Sequence, residues 1–139
     1  MATKAPPRAS KSDLERLSEF RWHLRTFLRF SEDAAREHGI TALHYQLMLH
    51  TQGFEGREWA SVGELAERLQ AQPHGVVALV TRCEEAGLVT RQPNQHDRRQ
   101  VEIHLLPKGK LLLERLAMLH RDQLTELTAA LASLQRNSQ

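Results

Sequence analysis

Cysteine is almost absent from this chain of 139 residues, which contains Cys83 and no second thiol. A single cysteine excludes a disulfide framework within the chain and favours a reducing compartment. The sequence also lacks an apolar run approaching the roughly 18 residues of a membrane-spanning helix, and it has no apolar signal-peptide core at its start. We therefore expect a soluble, cytoplasmic protein without a membrane partner.

The chain also lacks a large excess of either positive or negative charge. The 19 Lys and Arg residues stand against 17 Asp and Glu residues, a formal net charge of +2. This balance argues against indiscriminate polyanion binding over the whole surface, so basic groups for a polyanion must be placed locally. No Ser-His-Asp arrangement, paired carboxylates, phosphate-binding loop or compact metal motif stands out, and the sequence therefore predicts neither an enzyme nor a bound cofactor.

Two short helices joined by a tight turn are predicted between Ser61 and Ala86. Ser61 and Glu64 have the spacing of a capping box, and apolar residues at helical spacing follow them. Pro73 stops the first helix and suits the first position of the next one. Gly87 then stands where a left-handed C-cap is expected. These two helices fit a helix-turn-helix motif.

A β-hairpin with a basic tip is predicted directly after these helices, over residues 87–105. Apolar and polar residues alternate along its second arm, from Val101 to Leu105, as they do in a half-buried strand. A Pro-Asn turn ends the first arm, and Arg98 and Arg99 lie at the tip. A short basic hairpin that follows a helix-turn-helix is typical of a wing that contacts DNA.

Four segments occur in an order that resembles the MarR family of winged-helix transcriptional regulators. They are residues 63–69, residues 79–91, the triplet Asp97-Arg98-Arg99 and residues 105–109. In layout the resemblance extends over residues 12–135. It implies a mainly α fold with a small β-hairpin wing, in which a winged helix-turn-helix lies between N- and C-terminal dimerisation helices.

The predicted domain organisation follows from this layout. We expect residues 1–11 to form a disordered tail and residues 12–139 to form a single MarR-like domain. Within that domain, residues 12–53 and 107–139 are predicted to form a mainly helical dimerisation region. Residues 54–106 are predicted to form the winged helix-turn-helix.

The predicted helices at both ends carry more apolar residues than one neighbour would cover. The first is predicted to begin with Ser12 as its N-cap and Glu15 completing a capping box, and Pro107 opens the last. The segment from Phe54 to Ala60 is predicted to be a connecting loop. The apolar excess predicts a homodimer.

The resemblance also implies how such a dimer would bind DNA. The helix from Pro73 to Ala86 would enter the major groove, and the wing would reach the adjacent minor groove. Arg99 would insert into that minor groove while Asp97 holds the hairpin in shape. Phosphate contacts are expected from Arg91 and Arg98. The complete set of residues predicted to bind DNA is Gln72, His74, Gly75, Thr81, Arg82, Arg91, Asp97, Arg98 and Arg99.

The predicted recognition helix departs from the family pattern in one respect. Gly75, Val77 and Ala78 occupy positions where the family often carries Ser, Thr or Arg. We therefore expect little direct readout of base edges, with specificity resting on the wing and on DNA shape. The same three residues leave open an alternative, in which the chain is a protein-interaction adaptor with weak or lost DNA binding.

Members of the family commonly bind anionic aromatic or phenolic ligands between the dimerisation helices and the winged helix. In this chain Trp22, His23, Phe27 and His44 are predicted to line such a site. The resemblance therefore implies a ligand-responsive repressor that binds, as a homodimer, to a pseudo-palindromic operator in double-stranded DNA.

A metal- or redox-responsive regulator is a further alternative. The chain has eight histidines, a residue type that often binds metal ions, which makes metal sensing an alternative. However, His44 and His50 are predicted to lie on opposite sides of a helix, and no cysteine or carboxylate completes a ligand set. Cys83 lies on the apolar face of the second helix of the helix-turn-helix, which predicts a packed side chain rather than a reactive thiolate.

Overall fold

A computed structural model describes residues 3–136 of the chain. Over this range the chain forms five helices and three strands, and the prediction of a mainly α fold with a small β-hairpin wing is confirmed. None of these helices is long and apolar enough to span a bilayer. The elements are α1 (Lys11–Glu37), α2 (Ala42–Gln52), β1 (Trp59–Ser61), α3 (Val62–Leu69), α4 (Pro73–Glu85), β2 (Val89–Pro93), β3 (Val101–Leu105) and α5 (Pro107–Arg136).

The chain divides into two compact units. The terminal unit comprises the residues up to Phe30 together with those from His120 onward, and the central unit comprises Ser31–Leu119. The central unit contains the helix-turn-helix and the wing. The long helices α1 and α5 each contribute residues to both units.

Helix α1 begins earlier than predicted because Ser10 caps it. The Ser10 hydroxyl accepts a hydrogen bond from the Asp13 backbone N–H at 3.1 Å, and an Asp13 carboxylate oxygen accepts one from the Ser10 N–H at 2.8 Å. These bonds lower the pKa of Asp13 below its ordinary value. Ser12 therefore lies in the first helical turn, and the prediction that it is the N-cap was wrong.

The predicted N-terminal tail is described only in part. Residues 3–10 have no regular secondary structure and are exposed. Met1 and Ala2 lie outside the described residues, as do residues 137–139 of the segment that was predicted to help form the dimerisation region.

The two helices of the helix-turn-helix begin and end close to where the sequence predicts. The Ser61 hydroxyl accepts from the Glu64 N–H at 3.2 Å, and the Glu64 carboxylate accepts from the Ser61 N–H at 2.9 Å, which completes the capping box. Pro73 opens α4, and Gly87 after α4 has a φ of 74°, a conformation that costs glycine little. The buried side chains of the two helices are Leu65, Ala66, Val76, Leu79, Val80 and Cys83.

The wing is part of a three-stranded antiparallel sheet in the order β1-β3-β2. Strands β2 and β3 form the predicted hairpin, with Val89 opposite Leu105 and Pro93 opposite Val101. Strand β1 was not predicted, because the segment ending at Ala60 was assigned to a loop. It is only three residues long, too short to show alternation, and it pairs with β3, which is distant in the sequence.

The start of α5 is attached to the base of the wing by a close backbone approach. The Leu106 N–H donates to the Leu88 carbonyl at 2.9 Å, and Lys108 Nζ donates to the Ala86 carbonyl at the end of α4, also at 2.9 Å. A Cβ at Gly109 would overlap the Leu88 carbonyl oxygen, so only glycine fits there without displacing the backbone. The position of the wing is therefore set by α4 and α5 together.

Candidate nucleic-acid interface

Helix α4 presents one face to the interior of the central unit and the opposite face to solvent. The outward face includes the predicted DNA-binding residues of the helix, all of which are exposed, and Val77, whose exposed fraction is 45%. Gln72 is the N-cap of α4 but makes no capping hydrogen bond with its side chain. Its amide is therefore not committed to capping. The exposed residues at and along α4 that sequence reasoning selected are Gln72, His74, Gly75, Thr81 and Arg82.

Two of these polar side chains are engaged with their own helix. The Thr81 hydroxyl donates to the Val77 carbonyl at 3.1 Å, and Arg82 Nε donates to the Ala78 carbonyl at 3.4 Å. The Arg82 guanidinium keeps further N–H groups beyond this single bond. The outward face of α4 is consequently mixed, with an apolar patch at Val77 and Ala78 and polar groups at either end.

Arg91 joins the first strand of the wing to α4. Its guanidinium pairs with the Glu84 carboxylate and donates to the Thr81 hydroxyl at 3.0 Å and to the Val77 carbonyl at 3.1 Å. The Arg91 backbone N–H also points to Glu84, at 3.4 Å. The sequence predicted that Arg91 contacts a phosphate, whereas the structure shows that its guanidinium makes three donor contacts within the protein, in addition to that of its backbone N–H. It therefore braces the wing against the recognition helix.

Asp97 and Arg99 form a compact pair at the tip of the wing. One Asp97 carboxylate oxygen accepts from the Arg99 backbone N–H at 3.0 Å and lies 3.4 Å from Arg99 Nε. The Arg99 side chain is 94% exposed, and neighbouring Arg98 is exposed as well. The geometry thus has the arrangement that the resemblance implies, an arginine directed outward and an aspartate that shapes the backbone beneath it.

The wing tip and the recognition helix share one groove of about 450 Å³. Asp97 and Arg99 line it from the wing, and Val77 lines it from α4. The remaining lining residues are Ser61, Val62, Gly63, Gln100 and Val101. Residues from both elements that are predicted to contact DNA therefore line one groove of the central unit.

Sequence reasoning treated Asn94 only as part of a turn. In the structure its side-chain oxygen accepts hydrogen bonds from the backbone N–H groups of His96 and Asp97, both at 2.9 Å. Asparagine often bonds to the backbone two residues further on, so its position at the start of the loop was the signal that could have revealed this role.

The four residues predicted to bind an effector belong to different units. Trp22 and His23 stack with ring centroids 5.1 Å apart in the terminal unit, where Trp22 is 65% exposed. His23 and Phe27 line a cavity there of about 160 Å³, below the roughly 300 Å³ at which ligand pockets begin. His44 lies in the central unit, and burial, followed by the charge of Arg82, lowers its pKa.

The surroundings of the residues considered for redox or metal sensing do not favour either role. Cys83 is fully buried, and burial raises the pKa of its thiol to about 11, which disfavours the reactive thiolate. The prediction that Cys83 is a packed side chain is confirmed. Among residues 3–136 no group of three His, Cys, Asp or Glu side chains is placed to hold a metal ion.

Comparison with known proteins gives a consistent result. The sequence model of the MarR family matches residues 38–100, which include α2, the helix-turn-helix and most of the wing. The HTH-type transcriptional repressor MdtR of Bacillus subtilis (strain 168) is 34% identical over 53 residues. That match covers 38% of this chain and 34% of MdtR, so the chain spans about a third of the length of this curated relative.

Solved structures resemble the fold over most of the chain. AbsC, a MarR-family transcriptional regulator from Streptomyces coelicolor, superposes with a TM-score of 0.74 at 19% identity, covering 91% of this chain and 84% of AbsC. A cysteine-to-serine mutant of MarR from E. coli, complexed with operator DNA, superposes with a TM-score of 0.68 at 22% identity, covering 88% of this chain and 89% of that one. These likenesses confirm the winged-helix fold that was predicted.

Proposed function

We propose that the protein is a DNA-binding transcriptional regulator of the MarR family that acts as a homodimer, because the MarR-family model matches residues 38–100, which include the helix-turn-helix. The observation that carries the proposal is the groove in which the exposed Arg99, held by Asp97, lies beside the outward face of α4. An arginine presented in this way suits the negative potential of a narrow minor groove.

In this mechanism α4 enters the major groove and the wing reaches the minor groove beside it. Gln72, His74 and Gly75 at the start of α4 approach the bases, and the apolar side chain of Val77 offers a surface for a thymine methyl group. Arg98, exposed next to Arg99, contacts a phosphate. Few polar groups read base edges directly, so specificity rests largely on the wing and on DNA shape.

The proposed role of Arg91 differs from the one expected from the sequence. With its guanidinium paired to Glu84 and bonded to Thr81, Arg91 sets the angle between wing and recognition helix. A dimer that contacts two grooves at once depends on that angle, because small misplacements remove contacts from one of them. Arg91 and Glu84 therefore support binding without having to touch DNA.

Dimerisation is proposed through the terminal unit. Helix α1 exposes Leu14, Leu17 and Phe20 there, and a groove of about 490 Å³ continues this apolar surface to Leu131 and Leu134 of α5. Exposed apolar residues clustered in this way mark an interaction surface. We propose that the homodimer binds a pseudo-palindromic operator whose half-sites lie about one helical turn, or roughly 10 base pairs, apart.

We further propose that the regulator is a repressor released by a small aromatic anion. MdtR, which is 34% identical to this chain over 53 residues, is itself named a repressor. The effector part of the proposal rests on the exposed ring of Trp22, which stacks on the half-buried ring of His23, so that the pair offers an aromatic surface with a nitrogen donor. Ligand binding would act by favouring one spacing of the recognition helices over another.

The proposal is tested by fluorescence anisotropy with labelled DNA from upstream of the protein's own gene, titrated at several salt concentrations. Wild-type protein is expected to prefer this DNA to a random duplex, with an affinity that falls steeply with salt. Arg99→Ala should weaken binding by at least about tenfold. Lys110→Ala is the matched control, because it removes one positive charge from an exposed position on α5 that lies outside the groove.

One observation favours a second function. The outward face of α4 carries an exposed patch of Val77 and Ala78 beside Gly75, which suits a protein partner as well as DNA. If neither wild-type protein nor Arg99→Ala prefers any fragment to random DNA, with and without aromatic acids added, the adaptor function replaces the DNA-binding one.

A further inference from the structure

A polar network lies behind the wing tip, at residues outside the Asp97-Arg98-Arg99 motif. Glu102 on β3 has both carboxylate oxygens occupied: one is 2.8 Å from His104 Nε2, and the other accepts from Asn94 Nδ2, also at 2.8 Å. The Glu102 side chain is only 16% exposed. A half-buried carboxylate with two partners at these distances is well defined in position.

The orientation of the Asn94 amide follows from this carboxylate. Glu102 can only accept when ionised, so it requires the NH₂ group of Asn94 on its side and leaves the amide oxygen facing the loop. That oxygen accepts the backbone N–H groups of His96 and Asp97. The backbone N–H groups of two consecutive loop residues are therefore held by one side chain.

The network ends at the residue proposed to enter the minor groove. Asp97, whose own N–H is held by Asn94, accepts the Arg99 N–H and lies against Arg99 Nε. At the opposite end the His104 ring stacks on Trp59 of β1, with centroids 6.3 Å apart. An unbroken series of contacts thus runs from the edge strand of the sheet to the exposed guanidinium.

We propose that Asn94 and Glu102 are positioning residues for the DNA-binding wing. They hold the loop in the conformation that presents Arg99, so that the guanidinium reaches the minor groove without first having to order seven loop residues between β2 and β3. This inference rests on the proposed function, because a wing that binds no DNA has nothing to position.

The sharpest test reverses the polarity of the central hydrogen bond. Asn94→Asp places a second carboxylate against Glu102 and removes the donor, so it should weaken operator binding by about tenfold. Glu102→Gln alone keeps one acceptor oxygen but presents an NH₂ group to the other of its two partners, which loses its acceptor, and should weaken binding about threefold. The double variant Asn94→Asp/Glu102→Gln has the same net charge as the Asn94/Glu102 pair of the wild type. Its new amide can donate to the new carboxylate and still accept from His104, so binding should return to within about twofold of wild type.

A double-mutant cycle separates positioning from a general loss of stability. Asn94→Ala should weaken operator binding by about five- to tenfold in the wild-type background, but by less than about twofold in Arg99→Ala, where no guanidinium remains to be positioned. If the two losses instead multiply, or if the reversed pair fails to restore binding while the protein remains folded, the inference is overturned.

Hydrogen exchange in the free protein keeps this test independent of DNA binding. The His96 and Asp97 amides should exchange about tenfold faster in Asn94→Ala than in wild type and return toward the wild-type rate in the reversed pair. Unchanged exchange of the His96 and Asp97 amides in Asn94→Ala would overturn the proposed positioning role of Asn94 and Glu102, even if DNA binding is established. Wild-type protein with protected amides but no preference for operator DNA would instead overturn the proposed function.

Discussion

Within residues 3–136, every buried apolar side chain lies between Ala34 and Leu116. All of these residues belong to the central unit. The terminal unit instead exposes large apolar side chains, with Leu17 60% and Trp22 65% accessible. The central unit therefore encloses a buried core, although it also exposes apolar residues such as Met118 at 61%, whereas none of the described apolar residues of the terminal unit is buried. This contrast is the basis for proposing the DNA-binding surface in the central unit and the dimer contact in the terminal unit.

The largest expected effect on stability comes from creating a cavity in the core of the central unit. Leu65 is fully buried on α3, so Leu65→Ala removes apolar contacts and leaves a cavity, at a cost of about 3 kcal/mol in the free energy of unfolding. Urea denaturation at fixed protein concentration measures this loss. Leu17→Ala in the terminal unit is the matched control, with an expected loss below about 1 kcal/mol once subunits are separated by dilution.

The corresponding experiment on the terminal unit tests self-association rather than stability, by placing a charge on its exposed apolar surface. Phe20 lines the groove of that unit together with Leu17, and Phe20→Asp should weaken self-association by at least about tenfold, since the carboxylate would have to be desolvated in a subunit interface. Sedimentation velocity over a concentration series measures the change. The helical circular dichroism signal should be retained at the same time. An unchanged association constant would place the dimer interface elsewhere.

A pH experiment probes the interior through Cys83. Its folded pKa of about 11 exceeds the ordinary 9.0, so the folded state holds the thiol proton more tightly than the unfolded state does. This contribution is fully present below pH 9 and is lost as the pH rises to 11, which amounts to about 2 kcal/mol. The stability difference between wild type and Cys83→Ala should therefore shrink over this range. A constant difference would show that the thiol is not desolvated.

The smallest expected effect concerns the link between wing and recognition helix. Arg91→Ala should cost about 1 kcal/mol of stability, because the Glu84 pair is about one third exposed and thus partly screened. Glu84→Gln tests the same link from the other side, keeping the shape of the side chain while removing its charge. Operator affinity should fall in both variants without a change in the number of phosphate contacts, which the salt dependence reports. A reduced salt slope in Arg91→Ala would restore the phosphate role that was first predicted.

Much of the winged helix could be predicted because its signals are local. A capping box at Ser61 and Glu64, a proline at position 73 and a glycine at position 87 each act within a few residues of themselves. The start of α1 was mispredicted for a related reason. Two overlapping serine-acid pairs, one from Ser10 and one from Ser12, both fit a capping box, and spacing alone does not choose between them.

The parts that escaped prediction depend on residues distant in the chain. Strand β1 exists because β3 offers it an edge, with Ala60 opposite Ile103. The pairing of Arg91 with Glu84 was not predicted, because it arises only when the wing folds back on α4. In both cases the contact forms only when the fold brings together residues that are distant in the sequence, so the residue type alone does not reveal it.

By itself the sequence determined the order of the helices and of the wing hairpin, the ends of α3 and α4 and the place of the basic wing tip, since capping, alternation and turn formation act over a few residues. Only the tertiary structure decided which charged side chains face outward and which are used internally. Arg99 and Arg91 have the same chemistry, but Arg99 extends into solvent and Arg91 is held by Glu84. The physical reason is that an ion pair depends on the distance between its two groups in space, and the fold sets that distance.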